Sequence, residues 1–382
     1  MRIMKKIIHR YILKEIAFPF FMILFILTFV LLMGKILQLM DLMVNKGIRI
    51  FDIGLMIIYL MPSFLLFTIP ISLFVAIMMG LGRLSSDNEL IVMKASGISL
   101  YEISKPIILA TVVTFFLTAV TSYFLVPEGN YATKLLLFSV ARQKASAGIK
   151  EKVFNDDFKG ILLYADKIPV SGDYMEGVLI SDTRDKEEPS TIIAARAYLV
   201  ANPNEMTVTL RMENGATHAV DRSLKNYRKM DFARYDVRLD LGAAMTEEKA
   251  KTKASTEMTA VEILKRMQDK KIKDTDLREL AIEIQKKLSI PVSTLVFCAL
   301  GIPLGIRKHR TAKFWGFSIG LVVVLAYYLI RLGGEALAET GKLTPFIGTW
   351  TPNILLGIAG IYLFYRAAEE KPLWPNFFKT VK

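Results

Sequence analysis

Six long stretches of this chain carry no charged side chain: Ile16–Met33, Ile53–Gly82, Pro106–Val126, Leu288–Ile306, Phe314–Ile330 and Phe346–Tyr365. They run from 17 to 30 residues, and a helix needs roughly 20 to cross the hydrocarbon core of a bilayer. The pattern predicts six transmembrane helices. Pro62 and Pro70 fall inside the second, where neighbouring helices satisfy the freed carbonyls. Between the third and fourth stretches the period changes. "GILLYADKI", "EGVLISD", "STIIAARAYLVA", "EMTVTLRME", "GATHAVD" and "NYRKMDFARYDVRL" alternate at period two and read as strands. "FNDD", "NPNE" and "ENG" read as the turns between them. The predicted fold class is an α-helical integral membrane protein with an inserted all-β, antiparallel, jelly-roll-like domain.

This divides the chain into 1–127 (spans one to three), 128–258 (the β domain and its linker) and 259–382 (two connecting helices and spans four to six). Glu128–Lys150 looks helical and extends the third span. "LGAAMTEEKAKTKASTEMT" reads as a polar linker. Thr259-Ala-Val-Glu262 is a capping box for one connecting helix, and "DLRELAIEIQKKL" runs into the fourth span.

Composition agrees: 53% hydrophobic residues and a mean hydropathy of +0.38 are too apolar for an ordinary soluble protein. The first apolar stretch is too long for a cleaved signal, so the basic segment "MRIMKKIIHRYILKE" reads as a retained, interface-lying cytoplasmic start. Lysine and arginine set the orientation. Segments 1–15, 81–105, 307–313 and 366–382 hold 16 of them, against three in 38–52 and 334–345. Both termini are therefore expected inside and the β domain outside. Residues 128–258 hold 20 basic and 20 acidic side chains, so the formal charge of +13 belongs to the membrane portion and its flanks. That argues against a nucleic-acid partner.

No nucleotide-binding, metal-binding or nucleophile motif stands out. "ETGKLT" lacks the earlier glycine and the Ser/Thr of a phosphate loop. His9, His218 and His309 are scattered, and Cys298 is the only cysteine. No catalytic residue, metal or bound cofactor is predicted. What remains is "GRLSSDNELIVMKASGIS", Gly82–Ser99, between spans two and three. Ser86-Asp-Asn-Glu89 reads as a capping box, Leu90, Ile91, Met93 and Ala95 as a short apolar face, and Gly97 as the stop. A helix of about ten residues, within 84–97, is expected along the inner membrane surface. Glu89 either only caps it or also meets a partner.

"HRYILKE", "GRLSSDNELIVMKASGIS", "NYRKMDFARYDV" and "KKLSIPVSTLVFCALGIPLGIR" stand in the order found in the LptF/LptG (YjgP/YjgQ) permeases of lipopolysaccharide export. The chain resembles that family over nearly its whole length, and is closer to the F type. The resemblance implies a permease subunit of an ABC transporter in the bacterial inner membrane, not an enzyme. It implies an LptG-type partner permease, a separate LptB ATPase dimer that uses the ATP, LptC, an LptA-type periplasmic bridge, and lipopolysaccharide as substrate. It makes the short helix the coupling helix, with Glu89 as its contact residue and Asp87, Leu90 and Met93 beside it. The family carries a lysine at the place of Lys35, near the substrate phosphates; its further basic position is Gln38 here.

Two other readings use the same residues. One is an ABC-type membrane subunit that transmits force without moving lipid; the other is a membrane-anchored outer enzyme. Lys35 either pairs with phosphate or snorkels to the headgroups. Arg331, at the outer end of span five, either pairs with phosphate or makes an i,i+4 pair with Glu335.

Overall fold

The computed structural model describes residues 2–46, 50–147, 151–158, 160–169, 174–184, 189–202, 207–220, 227–239, 253–269, 272–306 and 313–371. The helices are α1 (Arg2–Lys46), α2 (Ile50–Ser86), α3 (Glu89–Ala95), α4 (Leu100–Val120), α5 (Val126–Ala147), α6 (Ala260–Met267), α7 (Asp274–Gly305), α8 (Lys313–Glu339) and α9 (Pro345–Ala368). Six helical segments among the described residues are long and apolar enough to cross a membrane, in α1, α2, α4 with α5, α7, α8 and α9. The strands are β1 (Phe154–Phe158), β2 (Ile161–Lys167), β3 (Met175–Asp182), β4 (Ser190–Asn202), β5 (Thr207–Val220) and β6 (Tyr227–Leu239). The chain forms two compact units: Met1–Asp41, Ile53–Asn130 and Ser255–Lys382 in one, Leu42–Asp52 and Tyr131–Ala254 in the other.

In the helical unit α2 and α7 are central. Their most apolar windows are 72% and 78% buried, against 17% in α1 and 28% in both α8 and α9. The outer helices therefore present most of their apolar surface outward. Phe74 of α2 stacks on Phe297 of α7 at 5.1 Å, and Tyr327 of α8 packs on Phe297 at 5.0 Å. In an apolar solvent helices gain little from burying more apolar surface, so polar groups and close packing hold them together. Thr28 and Thr68 share a hydrogen bond at 3.1 Å. Tyr327 Oη donates to Asn353 Oδ1 at 3.0 Å, and Asn353 Nδ2 donates to the Ser289 carbonyl at 2.8 Å. Along α4 the hydroxyls of Ser104, Thr111 and Thr118 each donate to the carbonyl four residues back. A π-helical turn at Thr121–Leu125 joins α4 to α5.

The second connecting helix and the fourth span are one helix, α7, as expected. The Thr259 capping box is formed: Glu262 N–H donates to Thr259 Oγ1 at 3.3 Å, and Thr259 N–H donates to Glu262 Oε2 at 2.8 Å. Most of the predicted linker lies outside the described residues.

The β unit departs from expectation in its topology. Its strands form one antiparallel sheet in sequence order, β1-β2-β3-β4-β5-β6. The strand exchange between two sheets that defines a jelly roll is not seen among the described strands. "FNDD" is strand β1 rather than a turn, and "ENG" lies inside the continuous strand β5. "NPNE" falls largely outside the described residues.

A crease explains how one sheet encloses a core. The ladder skips Asp166, Gly177, Ala195, Asn214 and Ala233, which stand opposite one another on successive strands. Gly177 and Asn214 take positive φ, 60° and 53°. Across this row the buried phase flips. Val178, Ile180, Ile192 and Ala194 face inward on one side of it, and Met175, Ala197, Leu210, Met212 and Val237 on the other, all in one core. The sheet also curls. Arg184, just past β3, donates to the Arg238 carbonyl on β6 at 2.8 Å. In a flat sheet those strands would stand about 14 Å apart. On the outer face Lys167, Glu176, Arg196, Glu213 and Arg234 lie opposite one another, alternating in sign. Opposite charges facing across a ladder fix its register.

Two aspartates give this unit an acid dependence. Hydrogen bonds from Arg211, at 3.0 and 3.1 Å, hold the Asp236 carboxyl below its ordinary range. Burial pushes Asp182 upward, but the bonds from Arg184 outweigh it and its pKa is also lowered. A depressed folded-state pKa contributes stability above the unfolded value that is lost as pH falls through the folded value. In thermal melts followed by circular dichroism, the drop in melting temperature between about pH 7 and about pH 3 should therefore be smaller for Asp236→Asn than for the natural chain.

Candidate functional site

The turn between α2 and α4 holds the residues singled out by the sequence. α2 continues to Ser86, whose Oγ donates to the Arg83 carbonyl at 2.9 Å. Ser86 is therefore inside a helix and cannot cap the next one. The expected capping box is not formed. Asn88 sits at the N-cap in the left-handed region, φ 59°, with no side-chain cap bond. The helix is seven residues long, Glu89–Ala95, rather than about ten. Its end matches expectation. Gly97 (φ 84°) and Ile98 donate their N–H groups to the carbonyls of Lys94 and Met93 at 2.9 and 3.1 Å. This is a Schellman stop, which favours a glycine at the left-handed position.

Leu90 anchors α3. It is 3% exposed in a cluster with Ile12 and Ile16 of α1, Leu84 of α2, and Leu100 and Ile103 of α4. Met93 packs at the edge of the same cluster. Leu90 and Met93 thus face inward, while Ile91 and Val92 point out, Val92 with 64% of its surface exposed. Asp87 is exposed and 3.6 Å from Arg83. The sequence pattern groups Leu90, Ile91, Met93 and Ala95 on one apolar face, but Ile91 and Ala95 are exposed. A seven-residue helix shows too little of its period to tell the covered face from the open one.

Glu89 is bound, but not as a cap. Tyr11 Oη of α1 lies 3.1 and 2.9 Å from Glu89 Oε1 and Oε2 and donates to the carboxylate. Neighbouring contacts come from the same stretch of α1. Arg83 donates to Glu15 at 2.6 Å, and His9 Nε2 is 3.8 Å from Glu102 of α4. At the other end of α3, Lys94 bonds Glu370, just past α9, at 2.9 Å and holds that carboxyl below its ordinary range. None of these partners was picked out as a site residue. The one available signal was "HRYILKE", which contains His9, Tyr11 and Glu15.

Lys35 and Arg331 have different surroundings. Lys35 is exposed on α1, and its Nζ donates to Gln38 Oε1 at 2.9 Å. Arg331 is buried on α8. Its Nε donates to Glu335 Oε1 at 2.7 Å, and its guanidinium lies 5.2 Å from the centre of the Phe67 ring. Lys286 of α7 bonds the same carboxylate at 3.0 Å and borders a cavity of about 440 Å³ lined also by Arg278, Glu279 and Glu339. The i,i+4 pair expected for Arg331 is therefore present. Lys35 is the more open of the two cations. No cluster of His, Cys, Asp or Glu among the described residues could hold a metal ion.

The Arg331–Glu335 pair sets up a test. Removing one partner of a buried ion pair leaves an uncompensated charge and costs about 3–5 kcal/mol, whereas removing both is far milder. Glu335→Ala should lower the melting temperature in detergent clearly more than Arg331→Met combined with Glu335→Leu.

Comparison with known proteins places this arrangement. The chain is 24% identical to an uncharacterized protein of Rickettsia prowazekii, over 93% of this chain and 97% of that one. It is 21% identical to the lipopolysaccharide export system permease protein LptF of Escherichia coli K12, over 97% and 98%, and equally to that of Shigella flexneri. The profile of the lipopolysaccharide export system permeases LptF/LptG matches residues 10–366. With six helices of membrane-crossing length among the described residues and this profile running from within α1 to within α9, the chain belongs to the LptF/LptG family of lipopolysaccharide export system permeases.

Proposed function

We propose that this chain is an F-type permease subunit that moves lipopolysaccharide out of the outer leaflet of the inner membrane. It is driven through α3 by a separate LptB-type ATPase dimer, which binds and uses the ATP. The observation that carries the reading is the seating of α3. Leu90 fixes a short helix to three spans while Ile91 and Val92 are exposed and Glu89 is half-buried. A partner that docks on this surface gains apolar contact from the first two and a charge-assisted bond from the third. Lysine and arginine distribution supports a cytoplasmic position for α3 and both termini, and a periplasmic position for the β unit.

On the outer side the substrate is a large amphiphile with phosphates and acyl chains. The apolar faces that α1, α8 and α9 leave uncovered suit a chamber shared with a G-type partner. The exposed Lys35 suits a phosphate at its rim. The creased, curled sheet, jelly-roll-like in enclosing a core between its halves, takes the lipid onward to LptC and an LptA-type bridge.

Glu89→Arg puts like charge against the basic partner expected at that carboxylate. It should leave the chain inserted while weakening ATPase binding by about tenfold or more and stopping lipid release. Unchanged ATPase binding and release would sink the coupling role. Lys35→Glu should lower crosslinking of lipopolysaccharide to the assembled complex from that position; unchanged crosslinking returns Lys35 to headgroup snorkelling.

A further inference from the structure

The segment "HRYILKE" entered above as a mark of the family, yet four of its seven side chains, His9, Tyr11, Ile12 and Glu15, meet α3 or the helix ends on either side of it. We propose that His9–Glu15 is a grip by which a load on α3 is passed to the first span, and that Tyr11 is the positioning residue for Glu89. The inference rests on the coupling role proposed for α3.

Geometry divides the grip among the elements on either side. His9 faces Glu102 at the start of α4, Tyr11 bonds Glu89 at the start of α3, and Glu15 bonds Arg83 near the end of α2. Beneath these contacts Ile12 and Ile16 share the cluster that seats Leu90. Backbone packing continues the contact. Pro19 has no N–H for the Glu15 carbonyl four residues back, and Gly80 of α2 comes up against that carbonyl. A Cβ at Gly80 would lie 3.1 Å from the Glu15 oxygen and 3.0 Å from Ile16 Cγ1.

Exposed ion pairs contribute little alone; Tyr11 is the contact that acts on Glu89 directly. A carboxylate has about four acceptor sites, and one phenol O–H fills one of them. Tyr11 therefore fixes the rotamer of a flexible side chain and leaves Glu89 able to accept from a cation on a docking partner. Beyond the grip most of α1 faces outward, with Phe18, Phe21, Phe25 and Phe29 exposed. Lys35 lies further along the same helix, about 36 Å from Tyr11 at the α-helical rise. A displacement of α3 thus has a continuous element along which to reach the rim.

The test uses the assembled complex of this chain, its partner permease and its ATPase in proteoliposomes. Lipopolysaccharide released per ATP hydrolysed is measured for the natural chain, Tyr11→Phe, Glu89→Ala and the double variant. Tyr11→Phe should lower release per ATP about three- to tenfold, the range for losing one ordinary, partly exposed hydrogen bond. The double variant should match Glu89→Ala within about twofold, because the hydroxyl acts only through that side chain. Natural release from Tyr11→Phe, or losses that multiply in the double variant, would overturn the grip. An unimpaired Glu89→Ala overturns the coupling role itself, a different result. If Tyr11→Phe reduces assembly, Glu15→Arg with Arg83→Glu decides: each alone should lower release per ATP, and the pair should restore it. Failure to restore would also overturn the proposal.

Discussion

The burial of Leu90 is the contact on which the site depends. The connector between α2 and α4 mixes polar and apolar residues, and α3 is too short to be stable alone. One leucine, set among residues from α1, α2 and α4, turns this connector into a fixed element. Its orientation decides everything else there. With Leu90 inward, Ile91 and Val92 are open, Glu89 falls beside Tyr11, and Lys94 falls beside Glu370. The Schellman stop at Gly97 then sends the chain back into α4 without a long loop.

Elsewhere in the helical unit the governing constraint is satisfaction of polar groups away from water. The hydroxyls of α4 return to their own helix, Asn353 bridges α8 and α7, and Glu335 serves both Arg331 and Lys286. These are internal solutions to the cost of an unpaired polar or charged group. They leave Lys35 as a contrast: exposed, bonded only by the neutral Gln38 among the contacts seen here, and on a helix that is itself largely uncovered.

The β unit solves a different problem. A single sheet has two faces and, in this unit, no helix is needed to cover one. By flipping its inward phase at one row of residues and curling so that Arg184 reaches β6, the sheet covers itself. The alternating charges from Lys167 to Arg234 lie beside that crease, and between β5 and β6 a two-residue slip would set Glu213 opposite Asp236 or Arg211 opposite Arg234.

The sequence by itself determined what depends on local period and length. Runs without charge are long enough to span hydrocarbon, alternation marks the strands, and Thr259, Glu262 and Gly97 punctuate helices by rules that act within a few residues. It misjudged features in which a distant group competes with a local one. Asn-Gly at 214–215 has turn chemistry, but pairing on both sides carries the strand through it and leaves a kink. Ser86 and Glu89 have capping chemistry, but α2 absorbs the serine, and a tyrosine 78 residues away in the chain takes the glutamate. Which face of α3 is covered, which carboxylate neutralises Lys286, and which strands enclose the β core were decided only by tertiary structure. Those choices depend on packing between elements far apart in the chain, and local periodicity carries no record of them.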